Sequence, residues 1–394
     1  MPKNLIGFLL LVMIGFTSQV VLPQATVSAT AENPDLKIQS HAAILVEPIS
    51  GEILYQKNQD QVLPPASVTK LMVMLLTLEA LEKGQLKLTE VIAASPEACK
   101  MGGSQIWIEP GEEFNVAELL KAVSIVSAND ASYVLAEHLA GSEENFIVQM
   151  NKRAKELGLK NTTYFNTTGL EPNDGGSGNR TTAADMAQLA RKVIEHPQIF
   201  KWTGTWIDSL RGGKSFLRNT NNLVRFYKGC DGLKTGFTGP AGFCLVATAK
   251  RQGVRMIAVS MKAPTSQVRA QDISRLFNYG FSKFKSYQIY KKGEKLGVAK
   301  VFRGLSPQVV AIIPEELTAV LPIEQKGPIV KTVKIDPQIA APIKSGQKIG
   351  EVILSVGKKQ CGRLKLVAAA DVPRASVWQI WMQFFHGVVK QMVS

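Results

Sequence analysis

Residues 67–81 constrain the fold most, because Leu71, Met72, Val73, Met74, Leu75, Leu76 and Leu78 leave almost no polar face. A helix that is apolar on every side must be enclosed by other elements, so the chain needs a domain built around a central helix. Pro64 and Pro65 keep the approach non-helical, and Gly84 stands where a C-terminal cap belongs. The chain has 394 residues, enough for two folded domains. With 45% hydrophobic residues and only four cysteines, it is neither disordered nor a disulfide scaffold.

Around the central helix the pattern alternates between strands and helices. Segments 42–46 and 52–55 read as a hairpin turning at Ser50-Gly51. Asn115 can cap a helix over 116–126, and a second helix over 131–140 ends at Gly141, which leaves Ser127-Ala128-Asn129 in the connection between them. Residues 161–182, dense in Asn, Gly and Thr, read as a long surface loop before a helix over 183–194. Strands follow at 232–237, 243–248 and 256–261, and a helix over 271–283 closes the first domain. Past 286, short alternating segments at 298–302, 329–335 and 349–356 predict a small all-β domain. After Pro373, Val377, Trp381, Phe384, Val388 and Met392 recur at helical spacing among polar residues, an amphipathic helix suited to lying in a bilayer interface. The expected organisation is therefore 1–31, 32–286, 287–371 and 372–394.

The first segment has the features of a cleavable leader: Lys3, an apolar run over 5–16, then small residues over 27–31. Export gives the charge a meaning. With 46 Lys and Arg against 32 Asp and Glu, the net +14 fits anionic lipids and wall polymers, and nucleic acid drops out as a partner. Cys99, Cys230, Cys244 and Cys361 share no metal-ligand spacing. Cys230 and Cys244 could meet across a hairpin, although buried free thiols are the plainer expectation. Asn161, Asn166 and Asn179 fit N-x-Ser/Thr sequons and are expected to be unmodified surface residues.

Three short patterns carry chemistry together: Ser67-Val68-Thr69-Lys70, Ser127-Ala128-Asn129 and Lys234-Thr235-Gly236. Residues three apart on a helix share a face, so Lys70 can reach the Ser67 hydroxyl. Serine is a weak nucleophile, and a lysine activates it only when burial and neighbouring positive charge leave the amine neutral. The apolar helix supplies the burial, and Lys234 the charge. Ser127 could relay a proton to a leaving group, while Asn129 offers a donor and an acceptor to a substrate amide. Thr235 can bond a carboxylate held near Lys234, and Gly236 lets a substrate backbone approach. The amides of Ser67 and Phe237 are candidate donors to a tetrahedral oxyanion.

On these motifs, with Pro-Ala-Ser-Val-Thr-Lys at 65–70, Met101-Gly102-Gly103-Ser104 and Asp231-Gly232-Leu233-Lys234-Thr235-Gly236, the chain resembles the D-alanyl-D-alanine carboxypeptidases. These are low-molecular-mass penicillin-binding proteins of the serine β-lactamase-like superfamily. The resemblance implies an α/β domain with a five-stranded antiparallel sheet flanked by helices, followed by the small β domain and terminal helix. It also implies removal of the terminal D-alanine from peptidoglycan stem pentapeptides through an acyl-enzyme on Ser67, acylation by β-lactam antibiotics, and no metal or cofactor. The expected location is the outer face of the cytoplasmic membrane or the wall. Arg269 lies where some relatives place an arginine near the substrate carboxylate; otherwise it would be a surface ion pair. Phe237 stands where some relatives have His, and Ala128 where β-lactamases often have Asp.

Two rivals remain. A class A-like β-lactamase would need a loop base to hydrolyse its acyl-enzyme, and Glu171 is the candidate, against the plainer reading of a solvated loop acid. A catalytically inactive wall-binding protein would take no label from penicillin. A Ser-His-Asp hydrolase is excluded by the placement of His41, His138, His196 and His386, none of which lies in a catalytic motif.

Overall fold

The computed structural model describes residues 34–172, 176–324 and 327–382. Its first domain is organised by a five-stranded antiparallel sheet, ordered Glu52–Lys57, Ala42–Glu47, Val254–Ala263, Gly242–Arg251, Cys230–Thr238. The expected hairpin opens it, with Gly51 at φ +75° in the turn. Strand period sets the two faces. Ala42, Ile44, Val46, Val246, Ile257 and Val259 point into the helical core, whereas Ala43, Leu45, Leu245, Ala247 and Ala258 meet Ile273, Leu276 and Phe277 of the helix Ser266–Lys283.

The central helix, Lys70–Glu82, is enclosed as its composition demands: Leu71, Met72, Val73, Met74, Leu75 and Leu78 are fully buried. Each such side chain contributes roughly 1.5–3 kcal/mol of burial. A 3-10 turn, Ala66–Thr69, leads into it, and Gly84 follows its end at φ +70°. Asn115 caps Val116–Ile125 in a reciprocal capping box with Glu118. Asn129, expected in the connection, is instead the first residue of the next helix, Asn129–Ala140, with Ala128 at the cap position.

A helix that the sequence reading passed over, Glu143–Glu156, is capped by Ser142 and buries Phe146, Met150 and Ala154. The 161–182 loop is not a free surface loop either. Thr167, Thr168, Asn179 and Thr181 are buried, and Leu63 bridges to Thr181. The expectation that Asn179 lies on the surface is therefore corrected: its side chain is enclosed and fully used in hydrogen bonds.

The strand Phe284–Tyr290 leaves the last helix directly, runs across residue 286 and pairs with Leu317–Pro322. Beyond it lies a six-stranded sheet ordered Val330–Ile335, Lys348–Val356, Lys359–Ala368, Gln308–Ile312, Lys295–Phe302, Gln338–Ala340. Ala299, Val309, Ala311, Ile349, Val352 and Leu366 form its core. A short helix covers 377–382, exposing Val377, Trp378, Trp381 and Met382. The remainder of the terminal helix and the N-terminal leader lie outside the described residues. Among the described residues, no helix is long and apolar enough to cross a membrane.

Candidate active site

The first and third motifs meet, since Gly236 packs against the Ser67 turn and the Lys234 cation is felt at Lys70. Ser67 sits in the 3-10 turn, half-buried, and Lys70 opens the central helix with no exposed surface. Lys70 Nζ donates to Ser67 Oγ at 2.9 Å and to the Thr168 carbonyl at 2.8 Å. Burial, reinforced by the Lys234 cation, pushes the Lys70 amine well below the ordinary lysine range; Asp130 opposes the shift. That shift is in the direction that favours the neutral amine.

Lys234 comes from the edge strand, Cys230–Thr238, and is also buried. Its ammonium donates to the Thr235 carbonyl at 3.0 Å, and burial together with Arg269 lowers its pKa to about 7. Thr235 Oγ1 donates to Thr220 Oγ1 at 2.7 Å. Gly236 has a role the sequence reading did not foresee. A Cβ there would stand 2.9 Å from the Pro65 carbonyl oxygen and 3.0 Å from the Ser67 amide nitrogen, so the bare backbone lets the strand press against the turn that carries Ser67. Within the sheet this strand pairs only with Gly242–Arg251, which leaves its other edge towards Ser67.

Ser127 adopts φ +66°, and its Oγ is buried without a hydrogen-bond partner among the described residues. Asn129 Nδ2 donates to the Gly102 carbonyl and its amide to the Ser104 carbonyl at 2.7 Å, while its Oδ1 has no protein donor. Both are buried polar atoms whose hydrogen-bonding capacity is unused among the described residues. Asp130 accepts from Ile106 N, Ile108 N and Ala131 N at 3.0, 3.2 and 2.8 Å. Arg211 grips the same strap from outside, forking onto Glu112 at 2.6 and 2.8 Å and donating to the Ile106 carbonyl at 2.9 Å.

Phe237 follows the motif with its ring more than half exposed, stacked on Phe243 at 4.3 Å. Arg269 is buried and in no ion pair among the described residues, so the surface-pair alternative does not hold. It donates to the Cys244 carbonyl at 3.3 Å, and burial lowers its pKa to about 10. All four cysteines are free thiols; Cys230 lies opposite Ala249 and Cys244 opposite Gly236. Glu171 is half-buried and faces Arg180 at 3.4 Å.

Several residues of the cleft escaped the sequence reading. Thr168 contributes its backbone carbonyl to Lys70, and Ser67 Oγ points at the same oxygen at 3.4 Å. Gly169, at φ +83°, lies so close that a Cβ would fall 1.9 Å from the Ala66 carbonyl oxygen. Asn179 ties this loop to the turn by donating to Thr69 Oγ1 at 3.0 Å.

The family model described as D-alanyl-D-alanine carboxypeptidase matches residues 27–265, and that of the penicillin-binding protein 5 C-terminal domain matches 284–374. The D-alanyl-D-alanine carboxypeptidase DacF of Bacillus subtilis is 40% identical over 351 residues, covering 86% of this chain and 88% of its own length. A peptidoglycan synthesis regulatory factor (PBP3) from Streptococcus pneumoniae superposes with TM-score 0.65 at 29% identity, covering 85% of this chain and 99% of its own. Penicillin-binding protein D2 from Listeria monocytogenes, solved with ampicillin bound, gives TM-score 0.58 at 34% identity over 63% of this chain and all of its own.

Proposed function

Since the chain belongs to the D-alanyl-D-alanine carboxypeptidase family of serine peptidases, we propose that it removes the terminal D-alanine from peptidoglycan stem pentapeptides through an acyl-enzyme on Ser67. The observation that carries the site assignment is the 2.9 Å contact between a fully buried lysine and the Ser67 hydroxyl, beside a second buried lysine.

In this reading Ser67 Oγ attacks the carbonyl carbon between the two D-alanines and gives its proton to Lys70. The oxyanion is received by the amides of Ser67 and Phe237, which the bare Gly236 brings within reach of one another. The proton passes through Ser127 to the nitrogen of the departing D-alanine as the C–N bond breaks. Water then attacks the ester, Lys70 takes its proton, and that proton returns to Ser67 Oγ. The free edge of Cys230–Thr238 receives the peptide as an added strand, and Asn129 Oδ1 accepts from its amide. Lys234, Thr235 and Arg269 hold the terminal carboxylate.

β-Lactams enter as acylating analogues of the same substrate, in keeping with the ampicillin-bound relative. Intact-mass spectrometry after benzylpenicillin should show one stable adduct, absent in Ser67→Ala. A wild-type chain that takes no label, or that turns penicillin over rapidly, overturns the assignment. We further propose that residues 1–31 direct export, that 32–286 and 287–371 are the catalytic and β-rich domains, and that 372–394 dock on the outer face of the cytoplasmic membrane through Trp378 and Trp381. Deleting 373–394 should release the protein from membranes while leaving cleavage of a soluble D-Ala-D-Ala peptide unchanged; unaltered membrane recovery refutes the docking.

A further inference from the structure

A groove of about 880 Å³ lies between the β-rich domain and the 377–382 helix, lined by Phe302, Val377, Ile380 and Trp381 with Lys300, Arg303 and Arg374. It contains no acidic side chain, and none of the three cations is in an ion pair with a described residue. The backbone holds the two arginines in place. Gly304 and Arg374 form an antiparallel bridge, Leu305 N donates to the Pro373 carbonyl at 2.8 Å, and Ala375 N to the Arg303 carbonyl at 2.9 Å. Arg303 is kept at φ +56°, a conformation an arginine rarely adopts without support from its surroundings. Arg303 lies over the Phe302 ring at 5.1 Å, and a concave apolar wall with adjacent cations not neutralised by a described carboxylate is complementary to an amphiphile with an anionic head.

We infer that this groove binds one anionic phospholipid, its phosphate on Arg303 and Arg374 and an acyl chain along Val377, Ile380 and Trp381. The inference rests on reading the terminal helix as membrane-docking. It adds that the β-rich domain reads the headgroup, so that the enzyme prefers anionic bilayer over neutral bilayer through a defined site and not through net charge alone.

The full chain is tested by flotation with phosphatidylcholine vesicles and with an equimolar phosphatidylcholine–phosphatidylglycerol mixture. Arg303→Gln/Arg374→Gln should lose about thirtyfold in partitioning onto the mixed vesicles at low salt, the effect of two interfacial cations, and little on the neutral ones. Lys331→Ala/Lys334→Ala removes the same charge from Val330–Ile335, at the opposite edge of the six-stranded sheet, and should lose less than about threefold. Phosphatidylglycerol with brominated acyl chains should quench tryptophan fluorescence in the wild type and in the lysine variant, but much less in the arginine variant. Melting temperature and penicillin labelling serve as folding controls and should not move. Equal losses in the two double variants, or no loss in either, overturn the groove while leaving membrane docking intact. A wild-type chain that floats with neither vesicle removes the docking reading and the groove with it.

Discussion

Gly236→Ala tests the coupling between the edge strand and the nucleophile turn. The added Cβ would meet the Pro65 carbonyl oxygen at 2.9 Å, the Ser67 amide nitrogen at 3.0 Å and the Ala66 Cβ at 3.1 Å. Ordinary contact needs roughly 3.4 Å or more, so turn and strand must part by about 0.4–0.5 Å. Two of the three contacts are backbone atoms, one of them the proposed Ser67 oxyanion donor itself, and the third is a Cβ, which leaves no flexible side chain to absorb the shift. Overpacking of this kind costs about 1–3 kcal/mol of stability. The catalytic cost is steeper. Loss of one oxyanion donor slows acyl transfer about 100–1000-fold, and a displacement of half a hydrogen-bond range forfeits part of that. We expect acylation by a fluorescent penicillin to fall about 10–100-fold while the protein remains folded. Gly102→Ala is the control, because a Cβ there meets nothing within 4 Å. An acylation rate within about twofold of wild type, accompanied by a lowered melting temperature, would refute the reasoning, because the space at 236 would then serve packing alone.

Lys234→Met should stabilise the protein at neutral pH and abolish productive acylation. The Lys234 pKa falls from 10.5 to about 7 on folding, so the unfolded chain binds more protons between those values and wild-type stability rises with pH across that window. Removing the lysine relieves that penalty, which is largest below pH 7, read as a raised melting temperature and a flatter pH dependence; an unchanged profile contradicts the assignment. Asp130→Asn should lower the melting temperature, because an amide cannot accept all the N–H bonds the carboxylate now takes, at about 1–3 kcal/mol for a buried donor left unmet. It should also move the acidic limb of residual acylation to lower pH, since the anion that favours protonated Lys70 is gone. Glu171→Gln should leave deacylation within about threefold, measured as adduct decay by mass spectrometry, because that carboxylate faces Arg180. A large loss would revive the β-lactamase-like route.

The contacts around Ser67 were legible because they follow local rules. Ser67 and Lys70 meet through helical spacing, and Lys234 and Gly236 share a face of their strand through its two-residue period. Backbone acceptors have no such signature. The Thr168 carbonyl that holds Lys70 could be supplied by any residue, and only the neighbouring Gly169, needed at φ +83° against the Ala66 carbonyl, marks the place. Asn179 looked like a solvated loop residue because short polar side chains that brace a buried loop have the composition of an exposed one. Asp130 was hidden for a similar reason: a carboxylate in the first turn of a helix is usually a surface dipole partner, and here it is the clamp on a strap some twenty residues upstream. The helix Glu143–Glu156 did announce itself, through Ser142, the acids after it and Phe146 and Met150 four apart.

The charge inventory of the cleft links recognition to activation. Lys70, Lys234 and Arg269 are all buried, and Asp130 is the one acid whose field is felt at Lys70. A fold can hold such a cluster only by leaving some of it neutral. With its pKa lowered to about 7, Lys234 holds its proton far less firmly than an ordinary lysine. A substrate carboxylate arriving beside it favours the protonated form. That cation in turn disfavours protonation of Lys70, so in the proposed reaction the group that identifies the substrate would also ready the base. A penicillin methyl ester has the same reactive lactam without the anion. Its acylation should be slower overall, and the acidic limb of its pH profile should lie at higher pH than that of the parent penicillin. Coincident limbs, with only the amplitude reduced, would mean that the carboxylate contributes binding and nothing to the state of Lys70.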